Sequence, residues 1–144
     1  MATPIVVQAY IQRLCRETGT DPDTVYSKKT GAWYFLHGTS TIEVFITSHL
    51  TSHGTVRTFL RCFSPLQALP LTDEKKFKLF RAALELNEEH LGIKLAIDNK
   101  KEAMCVIGER DTDGMDYEEM VTTIIDTGDL AQKLNHLMKS YFEK

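Results

Sequence analysis

Thr72–Gly92, TDEKKFKLFRAALELNEEHLG, runs straight into Ile93–Arg110, IKLAIDNKKEAMCVIGER, and this junction decides the fold. The first segment reads as a helix. Thr72 is its N-cap, and Asp73 and Glu74 occupy the first turn, where the helix dipole favours acids. Phe77, Phe80, Leu84, Asn87 and Leu91 form one stripe, and Leu79, Ala83 and Leu86 widen it. Gly92 stops the helix. The second segment reads as a hairpin turning at Asp98-Asn99-Lys100, with Met104, Val106 and Gly108 alternating with Cys105 and Ile107. With almost no loop between them, the helix has to lie back across the sheet that the hairpin joins. A stripe this wide needs two surfaces to pack on. The sheet is one, and a second helix or a second copy of the chain is the other.

Upstream, Thr3 caps a first helix with Pro4 at its first position, and Val7, Tyr10, Ile11 and Leu14 recur on one face. Gly19 ends it, and Thr20-Asp21-Pro22-Asp23 reads as a turn. Three strands are expected: Trp33–His37, Thr41–Ser48 and Val56–Phe63. In the second, Ile42, Val44 and Ile46 oppose Glu43, Phe45 and Thr47. In the third, Thr58, Leu60 and Cys62 oppose Arg57, Phe59, Arg61 and Phe63. A loose loop built on Gly54 joins these two, and SPLQALPLT reads as a proline-bounded crossover to the second helix. The last helix starts at Asp116, which forms a capping box with Glu119. Met120, Ile124, Thr127, Ala131, Leu134, Met138 and Tyr141 make its stripe, and Gly128-Asp129 is expected to kink or split it.

The expected fold is α+β in the order α-β-β-β-α-β-β-α, with one antiparallel sheet and the helices mainly on one face. Ile42, Val44, Ile46, Leu60, Phe80, Leu84, Ile93, Leu95 and Ile107 are its expected core. A chain of 144 residues suits a single domain spanning 1–144 and needs no disulfide or metal staple. The net charge of −3 provides no general attraction to nucleic acid or to an anionic membrane. No apolar run approaches the roughly 20 residues of a membrane span, and the start MATPIVVQAY lacks the marks of a signal peptide. Cys15, Cys62 and Cys105 are odd in number and unpaired in spacing, which fits reduced core thiols. Cys62, beside Arg61, is the one candidate for reactivity. A cytoplasmic protein is expected.

The element order, the helix end ALELNEEHLG and the immediate hairpin resemble the type III secretion chaperone-like family, which includes the YbjN proteins. In that family a leucine-rich helix carrying an asparagine precedes a strand, as Leu84-Glu85-Leu86-Asn87 precedes Ile93-Lys94-Leu95. The aromatic opening of the first hairpin at Trp33 is similar too. The resemblance spans nearly the whole chain. It implies a bacterial, non-enzymatic and usually homodimeric domain whose apolar surface holds a partner polypeptide.

Two surfaces are candidates for those roles. Phe77, Leu79, Leu86, Ile93 and Leu95 are candidates for a dimer interface, and Phe45, Phe59 and Phe63 for binding a partner. The alternative is a small-molecule site between sheet and helices. No cofactor, metal or catalytic residue is expected. Glu109–Asp116 is arranged like a calcium loop, with Gly114 at the sixth position, but Met120 stands where the bidentate glutamate belongs. An acidic turn capping a helix explains it better. His49 and His53 fall in a loop without the glutamate of a metalloprotease motif, and His90 suits a helix C-terminus. His37 and His136 have no sequence-local partners. Lys75, Lys76, Lys78 and Arg81 are interleaved with Glu74, Glu85, Glu88 and Glu89, which reads as a solvated face rather than a nucleic-acid platform. An enzyme would need distant groups such as His37, Glu43 and Arg61 to converge. No phosphate loop or nucleophile motif is present.

Overall fold

A computed structural model describes residues 4–89 and 92–139. Thr3, His90, Leu91 and Tyr141, assigned from sequence to a cap, a helix end and two stripes, lie outside the described residues. The elements are α1 (Pro4–Thr18), α2 (Pro22–Val25), β1 (Tyr26–Ser27), β2 (Ala32–His37), β3 (Ser40–Leu50), β4 (Val56–Ala68), α3 (Asp73–Glu89), β5 (Ile93–Asp98), β6 (Ala103–Asp111) and α4 (Tyr117–Leu137). The six strands form one sheet in the order β1-β2-β3-β4-β6-β5, and every pairing is antiparallel.

The pleat sorts side chains onto two faces. Ile42, Val44, Leu60, Cys62, Met104, Val106 and Leu95 point to the face covered by helices, and all are buried. Two apolar clusters fill the space beneath those helices. One joins Val7, Ile11 and Cys15 of α1 to Ile42, Val44, Leu60 and Cys62 of the sheet and to Met120 and Ile124 of α4. The other joins Leu79 and Ala83 of α3 to Leu95, Met104 and Val106 and to Leu130, Ala131 and Leu134 of α4. The helix α4 therefore runs over both clusters. The expected α+β arrangement is what the chain adopts.

Several local expectations are corrected. Gly128 does not break α4, which is continuous from Tyr117 to Leu137. It marks a close approach instead. A β-carbon there would stand 2.8 Å from both His37 Cδ2 and Ile42 Cδ1, so only glycine lets the helix settle this close to β2 and β3. Asp129 does not cap a second half-helix; its carboxylate pairs with His37 Nε2 at 2.6 Å. The strand β4 runs on through Pro65 to Ala68, where a crossover was expected. Proline is tolerated because the β3 ladder has already ended at the Glu43–Phe63 pair, and the register with β6 shifts between Pro65 and Ala68. The turn after Gly19 holds a short helix, α2, capped by the Asp21 carboxylate accepting from the Asp23 N–H at 3.0 Å, and it leads into the two-residue β1.

Leu84 is the one expected core residue that lies largely in solvent, 71% exposed. The contact stripe of α3 is Leu79, Ala83 and Leu86, and at about 100° per residue Leu84 sits some 140° round the helix from Leu79. Ile46, Phe80 and Ile93 are half-buried, and Ile42, Val44, Leu60, Leu95 and Ile107 are buried.

The Asn87 side chain ties α3 to β5. Asn87 Oδ1 accepts from the Leu95 N–H at 2.6 Å, and its Nδ2 donates to the Leu95 carbonyl at 3.1 Å. Both backbone groups belong to the outer edge of β5, so Asn87 occupies the edge where another strand would pair. Asn87→Ala should leave two partly buried backbone groups unsatisfied and cost about 1–3 kcal/mol. That is a fall of several degrees in the thermal midpoint, which circular dichroism will report.

Candidate functional site

The second face of the sheet carries no described helix. Glu43, Phe45 and Thr47 of β3, Phe59, Arg61 and Phe63 of β4, and Cys105, Ile107 and Glu109 of β6 share it by strand alternation and register. An open depression of about 550 Å³ lies on it, lined by Phe45, Phe63, Ile107, Arg61, Glu43 and the lysines of the β5–β6 turn. A second of about 400 Å³ adjoins it, lined by Thr47, His49, Phe59, Arg61 and Glu109. Phe45, Phe59 and Phe63, the expected partner-binding residues, are thus brought together, each half-buried with no described helix over it. They flank Arg61, which lines both depressions.

Charges on this face are unequally matched. Arg57 pairs with Asp111, and its guanidinium carbon stands 5.7 Å from the centre of the Phe59 ring. Lys94 pairs with Glu109 at 2.6 Å. Arg61 has no hydrogen bond or ion pair among the described residues, and its Nε is shielded from solvent without a partner. Burying a donor unpaired costs about 1–3 kcal/mol, so folding does not favour an arginine here. In the sequence Arg61 stands out only as a strand cation beside Cys62 and as one of the distant groups an enzyme would have to bring together.

A second exposed surface lies on the outer side of α3. Phe77 is 67% exposed and Leu84 71%, seven positions apart on one face, with Leu71 exposed just before the helix. Of the expected interface residues, Phe77 is on this surface. Leu79 and Leu95 are buried in the chain's own core, and Leu86 and Ile93 are half-buried against it. Ion pairs Lys78–Glu74 and Arg81–Glu85 border the exposed stripe.

Asp111, Asp116, Glu119 and His37 have structural roles. Asp111 accepts from the Asp113 N–H at 2.9 Å, and that bond, with Arg57, holds its carboxyl below the usual range. Asp116 and Glu119 complete the capping box of α4. His37 lies on the helix side of the sheet against Gly128, whereas Glu43 and Arg61 lie on the other face, so the three do not converge. His49 stacks edge-on to Phe59 with ring centres 6.4 Å apart. Among the described residues no group of three or more histidine, cysteine and acidic side chains is placed to hold a metal ion. Among them also, no helix is long and apolar enough to cross a membrane.

The cysteines are all free and buried. Burial pushes the Cys62 thiol up to about 12, so it is not a poised nucleophile, and burial pushes Cys105 up to about 11. Tyr117 joins α4 to α1: its hydroxyl donates to Glu17 at 2.6 Å, and Arg13 lies over its ring at 3.9 Å. Burial, with the Glu17 bond, pushes this phenol up to about 12. A pH dependence follows. Unfolded thiols and phenols ionise near 9.0 and 10.0, so between there and about 12 the unfolded chain releases protons that the folded chain keeps. The stability that these groups contribute should be full below pH 9 and fall steadily above it, as urea midpoints measured from neutral pH upward will show.

No protein-family model and no curated protein matches the sequence. Among solved structures, a chain of the ExsC–ExsE complex superposes with a TM-score of 0.70 at 12% identity, covering 96% of this chain and 97% of that one. A chain from the Yersinia pestis type III secretion chaperone SycH in complex with a stable fragment of YscM2 gives 0.55 at 12% identity, over 88% of this chain and 98% of that one. A chain of the HopA1–SchA chaperone–effector complex gives 0.59 at 14% identity, over 96% and 94%. The chain has the fold of the type III secretion chaperones, as the resemblance in its sequence implied.

Proposed function

We propose that this chain is a non-enzymatic, cytoplasmic protein-binding domain that holds a segment of a partner polypeptide on the bare face of its sheet and works as a homodimer. The single observation behind the binding role is the cluster of Phe45, Phe59 and Phe63 around an unpaired Arg61 on a face that no described helix covers. Aromatic side chains gathered on an open sheet face favour an occupant. The fold supports the reading, since solved chains that share it come from complexes with other polypeptides. Three free, buried thiols suit a reducing compartment. The test is recovery from the native host. The untagged chain should bring down a polypeptide, and Phe45→Ser with Phe63→Ser should release it while leaving the thermal midpoint within a few degrees. Unchanged recovery with the double variant would contradict the assignment of this face.

The dimer rests on the exposed stripe of α3. Phe77 and Leu84 offer apolar surface that the chain leaves uncovered, and two-fold pairing is the commonest closed arrangement. Asn87 already satisfies the β5 edge at Leu95, so the contact is made through helix side chains rather than by joining two sheets at that position.

A further inference from the structure

Resting on the polypeptide-binding reading above, we infer that Arg61 sets its sequence preference. The bare sheet face takes an extended segment with an acidic side chain flanked at two residues' distance on either side by apolar ones. Phe59, Arg61 and Phe63 stand at alternate positions of β4 and point the same way. An extended segment has the same period, so one laid along β4 places an apolar residue on Phe59, a carboxylate on Arg61 and an apolar residue on Phe63. Phe45, opposite Arg61 in register, widens the second apolar seat.

The charge pattern selects the acid. The other cations of the face on β4 and β5, Arg57 and Lys94, are already matched by Asp111 and Glu109. Lys100 and Lys101 rim the depression with Arg61, against Glu43 and Asp98, and the Asp98 carboxylate is engaged by the Lys100 N–H at 3.0 Å. Glu43, diagonal to Arg61 on the same face, makes no hydrogen bond or ion pair with it. An incoming carboxylate meets a guanidinium that lines both depressions and has no partner among the described residues, and makes a charge-assisted bond with it.

The experiment uses three blocked synthetic peptides, alike except for a central glutamate, glutamine or lysine, with leucine two residues to either side. They are titrated onto the isotope-labelled chain while the ring signals of Phe45, Phe59 and Phe63 are followed. The glutamate peptide should bind about tenfold more tightly than the glutamine one, the lysine peptide weakest, with those rings shifting. Arg61→Glu should invert the order. Arg61→Met should abolish the preference while holding or raising the thermal midpoint, which separates recognition from a structural role. Equal affinity of the three peptides for the wild-type face would overturn the charge selection and leave polypeptide binding intact. Failure of all three to bind would overturn the inference, and the Phe45/Phe63 recovery experiment then decides the broader reading by itself. A fall of several degrees with Arg61→Met would also overturn it.

Discussion

Replacing Gly108 by alanine should cost about 3 kcal/mol, at the upper end of what overpacking a core does. Gly108 lies on the helix side of β6, fully beneath α4, and an added β-carbon would collide with Thr127 Oγ1. Thr127 cannot step aside. It is fully buried, and its hydroxyl is tied to the Thr123 carbonyl at 2.8 Å. Either α4 lifts from the sheet or β6 yields, and both clusters lose contacts, because α4 contributes to each. In a chain of this size the thermal midpoint should drop by roughly 6–12 °C. The rescue is specific. The Thr127 β-carbon would be 3.6 Å from the new methyl, an ordinary contact, so Thr127→Ala in the Gly108→Ala background should recover most of the loss. In the wild-type background the same change should destabilise. That reversal of sign identifies a steric coupling and excludes a loss of strand propensity.

The second large effect concerns assembly. Phe77→Glu with Leu84→Glu should convert a dimer into a monomer at micromolar concentration, by light scattering or sedimentation. Both side chains are mostly exposed in the single chain, so acids there cost the fold little, but two carboxylates in an apolar contact are desolvated without partners. A charge at Leu86 is a poorer probe, since Leu86 packs into the chain's own second cluster and its loss unfolds as well as separates. A wild-type chain that stays monomeric at high micromolar concentration would remove the dimer.

The sequence carried the architecture because its signals were local. Thr72 caps α3, with its side-chain oxygen accepting from the Lys75 N–H at 3.3 Å, and Asp116 with Glu119 caps α4. The alternation along β3, β4 and β6 gives both faces of the sheet directly. Phe45, Phe59 and Phe63 could be grouped for the same reason. What was misread depends on elements distant in the chain. Gly128 has the same local signature whether it bends a helix or lets one approach a sheet, and only His37 and Ile42 decide. Pro65 ends a strand unless the neighbouring ladder has already stopped. The exposure of Leu84 depends on which side of a two-sided stripe meets β5. Arg61 becomes distinctive only when Asp111 and Glu109 are seen to be taken by Arg57 and Lys94. Asn87 belongs to the helix end that carries the resemblance, but its pairing with both backbone groups of Leu95 depends on where the edge of β5 lies.

The most direct test of polypeptide binding on the bare face is site-directed photo-cross-linking in the native host. A benzophenone side chain is placed at position 45 or 63, with position 133 on the exposed surface of α4 as control. Irradiation should give one discrete polypeptide adduct from 45 and from 63, and none from 133. No adduct from 45 and 63, or the same adducts from 133, would contradict it.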